Sequence, residues 1–131
     1  MRTNVVLSDG RSLRAHFMHY SKDRYFICEW YSILRNIIEK SFENGDIKQY
    51  VKQDRDPHSK SLFGVKHLTV CELTLPEKDQ STQNHKLICF GTSFCSPKDQ
   101  FCKARGRKIA FNRAIKSLKS KGFEIQSVQF V

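Results

Sequence analysis

Two β-rich runs, residues 65–75 and 85–95, constrain this chain more than any other feature of its sequence. Each holds apolar and β-branched residues over a strand length, and a polar connector, PEKDQSTQN, separates them. Runs joined by a connector of hairpin length are typical of paired antiparallel strands. We therefore expect the two runs to pair and to form the centre of a β-sheet.

A hairpin is expected nearer the N-terminus, between Asn4 and Tyr20. The apolar run VVL meets the turn SDGR, whose Asp-Gly pair favours the positive φ angles of a tight hairpin turn. In the return arm SLRAHFMHY, residues 13, 15 and 17 would face one side of a sheet and residues 14, 16 and 18 the other. A last β-rich segment, Phe123 to Val131, predicts a closing strand.

Two other stretches have the period of an amphipathic helix. The first covers Asp23 to Asn44 and precedes Gly45, which suits a helix C-cap. Its apolar stripe comprises Ile27, Trp30, Tyr31, Ile33, Leu34, Ile37, Ile38 and Phe42. The second covers residues 98–121, and its core-facing stripe comprises Phe101, Ala104, Phe111, Ala114, Ile115 and Leu118. After the first helix, residues 46–64 are polar and predict a short helical turn and a surface loop.

These elements follow one another in the order β-β-α-β-β-α-β. This order predicts the α+β class, with an antiparallel or mixed sheet of about five strands and two helices packed against one face. A length of 131 residues fits a single domain, residues 1–131.

Positive charge is concentrated in the second helix. The chain has a formal net charge of +10, and residues 98–121 carry +8 of it, with nine Lys or Arg and one acid, Asp99. Such a local surplus indicates a binding patch more than a uniformly solubilising surface. The residues expected to form the patch are Lys98, Arg105, Arg107, Lys108, Asn112, Arg113, Lys116 and Lys119.

Some details of this helix leave alternatives open. Gly106 either ends a first turn or lets another backbone come close, and Ile109 would place an apolar spot within the basic arc. The segment Ser96 to Asp99 has the residue types of a helix start, and it could also bind an anion with the help of Lys98. Phe101 and Phe111 are assigned to the core, so no aromatic platform for nucleic-acid bases is expected beside the helix.

The segment that begins at Cys95 carries a resemblance. Cys-x-Pro-x-Asp-x-Phe over residues 95–101, followed by Gly-Arg-x-Ile-Ala-x-x-Arg-Ala over residues 106–114, resembles a pattern in small uncharacterised proteins of phages and other mobile elements. The resemblance covers residues 87–118 and implies a mobile-element origin. It further implies a binding protein that inhibits a host defence system, for example a CRISPR effector, by occupying a protein or nucleoprotein surface in the bacterial cytoplasm.

Two other binding functions stay open. A helix, antiparallel strands and a basic last helix are similar to the order in double-stranded-RNA-binding domains, which implies direct binding of DNA or RNA. The departures are a hairpin before the first helix and cations along the whole last helix. The third function, sequestration of a small anionic nucleotide, would need a pocket, with Arg105, Arg107 and Arg113 as candidate ligands.

No catalytic activity, cofactor or metal site is expected. The carboxylates form no acid-base or metal constellation, and no phosphate-loop, nucleophile-elbow or zinc-protease motif occurs. His16 and His19 are neighbours, yet no spacing links them to a cysteine as base and nucleophile. The five cysteines include no C-x-x-C pair and predict free thiols, with Cys71 and Cys89 buried in strands. No apolar run has the length of a membrane span or signal peptide, so we expect a cytoplasmic protein without a membrane partner.

Overall fold

The computed structural model describes residues 3–43, 65–78, 85–95 and 102–130. Its elements are β1 (Thr3–Leu7), β2 (Ser12–Ser21), a 3-10 turn (Lys22–Arg24), α1 (Ile27–Glu43), β3 (His67–Lys78), β4 (His85–Cys95), α2 (Lys103–Ser120) and β5 (Ile125–Phe130). Their order confirms the predicted β-β-α-β-β-α-β arrangement and the α+β class. The loop predicted for residues 46–64 lies outside the described residues.

The strands form one antiparallel sheet in the order β4-β3-β2-β1-β5. Strands β3 and β4 pair as predicted, but they do not form the sheet centre, because β4 lies at one edge and β2 occupies the middle. The cause is the C-terminal strand β5, which pairs with β1 and so extends the sheet on the side of the N-terminal hairpin.

The N-terminal hairpin forms as expected, and the residues that predicted its turn stabilise it. Gly10 has a φ of +92°, and its N–H donates to the carbonyl of Leu7 at 3.0 Å. The carboxylate of Asp9 accepts hydrogen bonds from Arg11, at 3.0 Å from the backbone N–H and at 2.8 Å from Nε. A short loop with glycine in the left-handed region fixes the register of β1 against β2.

The two helices pack on opposite faces of the sheet, so the expectation of a common face is wrong. Residues directly opposite each other in an antiparallel sheet share a face, and Met18 of β2 pairs with Val70 of β3 on the face that α1 covers. Ala15 pairs with Leu73 on the face that α2 covers. The cause lies in β3, whose residues 68–71 and 73–75 are all buried. A strand buried on both faces requires a layer on each side.

Helix α1 begins at Ile27 and not at Asp23, because Lys22–Arg24 form a separate 3-10 turn. Its buried core contacts come from Trp30, Leu34 and Ile38, which all belong to the predicted stripe. Trp30 has no exposed surface, whereas Ile27 is 62% exposed and lies outside the core, contrary to expectation.

Helix α2 lies on the other face with a stripe that differs from the predicted one. Its buried residues are Gly106, Ala110, Ala114, Ser117 and Leu118. The helix is therefore rotated by one residue, about 100°, from the predicted orientation. This rotation leaves Ala104 exposed and Phe111 and Ile115 half-buried. Phe101, which also belonged to the predicted stripe, lies outside the described residues.

Close contact between α2 and β4 causes the rotation. A Cβ atom at Gly91 would overlap the carbonyl oxygen of Ala110 and the backbone nitrogen of Ala114. The helix backbone thus rests on the backbone of β4, which only small residues at the contact permit. The larger side chains of Phe111 and Ile115 pack beside this contact, against the core that α2 shares with the sheet.

Candidate functional site

The outer face of α2 presents a continuous row of polar and cationic side chains. Most of the predicted site residues lie on it, within about 80° of one another on a helical wheel and opposite the buried stripe. These residues are all exposed, and they are Arg105, Lys108, Asn112, Lys116 and Lys119. This set is called the outer row below.

Among the described residues, no acidic side chain offsets the charge of the outer row. Helix α2 contains neither Asp nor Glu. Within the described ranges, the ion pair that forms joins Arg11 to Asp9 at 2.7 Å, and none joins a cation of the outer row to a carboxylate. The charges of the row are therefore available to an external anion.

Arg113 does not belong to the outer row, although the sequence placed it in the binding patch. It is half-buried, and its Nη1 donates a hydrogen bond of 2.7 Å to the carbonyl oxygen of Thr92 on β4. The alternation of ladder hydrogen bonds directs that carbonyl away from β3, towards the side of β4 that pairs with no described strand. Lys121 acts in the same way, because its Nζ donates to the carbonyl of Ile88 on β4 at 2.9 Å.

Helix α2 begins later in the sequence than predicted. The helix begins at Lys103, after the extended N-cap residue Cys102, whose side chain makes no capping hydrogen bond. The expected helix start at Lys98 is therefore wrong. Lys98 itself and the proposed anion site at Ser96 to Asp99 lie outside the described residues.

Gly106 does not end a turn, because the helix continues through it. Its N–H donates to the carbonyl of Cys102 at 3.0 Å, and α2 continues to Ser120. A Cβ at this position would lie 2.7 Å from Oγ1 of Thr69 on β3, so the close neighbour is a side chain and not a backbone. Ile109, expected within the basic arc, is half-buried on the side of α2 next to Arg113.

A groove runs between α2 and the strands β1, β2 and β5, and its volume is about 850 Å³. Its lining residues are Thr3, Arg14, Ala15, His16, Phe17, His19, Arg107, Lys108, Phe111, Asn112 and Phe130. The groove lies at the side of α2 because the contact at Gly91 holds the helix mainly over β3 and β4.

Aromatic rings form part of the groove. Phe111 packs against the core, as expected, and also lines the groove. The rings of Phe17 and Phe111 lie 6.5 Å apart between centroids, and both side chains are half-buried. Phe130, near the end of β5, is 69% exposed. Sequence reasoning missed Phe17 and Phe130, since their position depends on how β5 and α2 are placed over the sheet.

His19 lies where the groove meets α2. Its Nδ1 is 2.9 Å from Oγ1 of Thr69, the hydroxyl group that lies under Gly106. Burial lowers the pKa of His19 below its ordinary value, and the positive charges of Arg107 and Lys103 lower it further. This end of the groove therefore has a positive potential even while His19 is neutral.

The three arginines considered for a small anionic ligand do not converge. Arg107 lines the groove, Arg105 belongs to the outer row, and Arg113 is bound to β4. The described residues contain no group of three or more His, Cys, Asp or Glu that could hold a metal ion. Cys71 and Cys89 are buried in strands, as predicted.

Comparison with known proteins assigns the chain to no family. No family model, curated protein or solved structure matches the chain. None of the helices in the described ranges is long and apolar enough to cross a membrane.

Proposed function

We propose that the protein is a binding protein, not an enzyme, and that it binds a nucleic acid through the outer row of α2. The observation that supports this proposal is the outer row itself, whose exposed cations have no carboxylate partner in the described residues. Lys and Arg that neutralise phosphates release counterions, and this release supplies most of the affinity of sequence-independent binding.

The dimensions of the outer row suit a phosphate backbone. Residues 105–119 span roughly 21 Å along a helix, at 1.5 Å per residue. This length corresponds to about six base pairs of duplex at a rise of 3.4 Å. Asn112, in the middle of the row, can donate and accept hydrogen bonds, so it suits a sugar or base edge as well as a phosphate.

A salt titration with two matched variants tests the proposal. The row variant carries Arg105→Gln, Lys116→Gln and Lys119→Gln. The control variant carries Arg24→Gln, Arg35→Gln and Lys66→Gln, which remove the same charge from exposed positions away from α2. Affinity for a labelled oligonucleotide is measured by fluorescence anisotropy over a range of salt concentrations.

The row variant should bind at least tenfold more weakly, and its slope of log K against log salt should be smaller by about two to three, since each lost phosphate contact removes about 0.7 to 0.9 from the slope. The control variant should keep the wild-type slope. Equal losses in both variants would show that only net charge matters, and the proposal would then fail.

A second candidate is the inhibitor of a host defence system that the resemblance to phage proteins implies, acting in the bacterial cytoplasm on a protein or nucleoprotein. The observation that favours it is the pair Phe26 and Ile27 at the start of α1, which are 78% and 62% exposed. Neighbouring exposed apolar side chains suit a protein partner. They lie with α1 on the sheet face opposite α2, so such a partner would contact a different surface from the nucleic acid.

Capture of partners from a host lysate separates the two candidates. A protein that stays bound after nuclease treatment, and is lost from a Phe26→Ser, Ile27→Ser variant, would support the inhibitor. Partners that disappear with nuclease treatment would support direct nucleic-acid binding. A nucleoprotein target would give a third result. The row variant would no longer capture it, although the apolar surface at Phe26 and Ile27 is unchanged in that variant.

A further inference from the structure

The groove beside α2 combines aromatic rings with positive charge. Phe17, Phe111 and Phe130 provide rings, and Arg107 and Lys108 provide fixed cations beside them. None of the described residues that line the groove is acidic. A volume of about 850 Å³ lies in the range, roughly 300–1,000 Å³, of sites that take up small organic groups.

Phe130 is one of the exposed large apolar residues of the described chain. A phenylalanine that is 69% exposed forgoes much of the free energy that its burial would provide, at about 25 cal/mol per Å² of apolar surface. Its pairing partner in β1 is Thr3, which also lines the groove, so the ring stands at the mouth of the groove and not on an unrelated surface. An exposed ring next to cations is the arrangement that nucleic-acid bases use for stacking.

The groove and the outer row are continuous. Lys108 and Asn112 belong to both, since they lie on the outer face of α2 and also line the groove. Arg107, the residue before Lys108 on α2, also lines the groove. A chain whose phosphates contact the outer row therefore has its bases within reach of the rings.

We infer that the groove binds the unpaired bases of a single-stranded nucleic acid by stacking on Phe130 and Phe111, while the phosphates contact the outer row. This inference rests on the proposed nucleic-acid binding and specifies its substrate class. A duplex can contact the row through phosphates but keeps its bases stacked inside, so the groove adds affinity for a single strand only.

Two phenylalanine variants with a matched control test the inference. Phe130→Ala removes the most exposed ring of the groove, and Phe26→Ala removes an equally exposed ring on the α1 side. Phe111→Leu keeps apolar volume in the half-buried position and removes only the ring. The probes are a labelled thymidine oligonucleotide of about 12 nucleotides, a length that one small domain can cover, and the same strand annealed to its complement.

Phe130→Ala is expected to weaken single-strand binding about tenfold, which corresponds to the loss of one stacked base. Phe111→Leu should weaken it in the same direction. Neither variant should change the affinity for the duplex, and Phe26→Ala should change neither affinity. Thermal unfolding of each variant confirms that the fold is retained.

The outcomes separate this inference from the proposed function. If Phe130→Ala and Phe111→Leu bind the single strand as wild type does, or lose duplex affinity equally, the inference is overturned, and the row variant still decides the proposed function. If wild-type protein binds neither probe, both are overturned. If thymidine monophosphate binds as tightly as the oligonucleotide, the groove holds a free nucleotide and the single-strand inference is again overturned.

Discussion

The backbone of Gly91 on β4 lies against the backbone of Ala110 on α2, with no room for a side chain between them. This contact determines how α2 is rotated, and therefore which of its residues face solvent. Gly91→Ala would force the helix away from the sheet, because backbone atoms cannot move aside as a side chain can. We expect a loss of about 3 kcal/mol or more in the free energy of unfolding.

Gly10→Ala is the control for this prediction, and both losses can be measured by urea unfolding. A Cβ at Gly10 would have no described neighbour within 4 Å, so the expected strain comes from a φ of +92°. We expect a loss of about 1–2 kcal/mol there. A smaller loss for Gly91→Ala than for Gly10→Ala would contradict the close packing of α2 on β4.

Arg113 and Arg105 lie on the same helix but should respond differently to substitution by Gln. Arg113→Gln removes the charged donor to the carbonyl of Thr92 and should lower the free energy of unfolding by about 1 kcal/mol. Arg105→Gln changes an exposed residue and should stay within about 0.5 kcal/mol of wild type. In nucleic-acid titrations the larger effect should come from Arg105→Gln. It should reduce the slope of log K against log salt by about one, whereas Arg113→Gln should leave this slope unchanged. Unchanged stability of Arg113→Gln would show that its hydrogen bond contributes nothing.

His19 should make the stability of the protein depend on pH. Its pKa in the folded state lies below the ordinary 6.5, so the unfolded chain takes up a proton at a higher pH than the folded chain does. The contribution of His19 to the free energy of unfolding is therefore complete above about pH 6.5, and it is lost as the pH falls through the folded-state pKa. Urea unfolding of wild type and His19→Asn should show a smaller loss on acidification in the variant. Equal losses would assign the pH dependence to other groups.

The cysteines should differ in their reactivity towards iodoacetamide. Burial raises the pKa of Cys71 to about 12, with smaller contributions from Cys89 and Glu72, so its thiolate is scarce at neutral pH. Cys28 and Cys102 are exposed. Mass spectrometry of the native protein should find label on the two exposed residues, and label on Cys71 only after denaturation. Native labelling of Cys71 as fast as Cys28 would contradict its place in the core.

The sequence was sufficient for the element types and their order, because each has a local signal. Asp9-Gly10 marks the hairpin, the apolar stripe of helical period marks α1, and the polar connector marks the β3–β4 pair. The placement of the two helices on opposite faces of the sheet follows from the burial of β3 on both of its faces. The near-continuous apolar run LTVCELTL carries that signal, since a strand with one solvent face would alternate.

The candidate site could be predicted only in part. Periodicity identified the cations of the outer row, because they share one arc of a helix whatever that helix packs against. It misplaced Arg113, since the rotation of α2 depends on Gly91, a residue in another element. The groove was beyond sequence reasoning because Phe17, Phe111 and Phe130 come from three elements that meet only when β5 pairs with β1.

The hydrogen bonds from Arg113 and Lys121 to β4 also bear on self-association. An uncovered edge strand can recruit a strand from another molecule, which is a common route to aggregation. On β4 the carbonyls of Thr92 and Ile88 are engaged by side chains that carry positive charge. Two copies that approached each other through this edge would bring like charges together and would have to give up those bonds, so the edge resists the growth of intermolecular sheets.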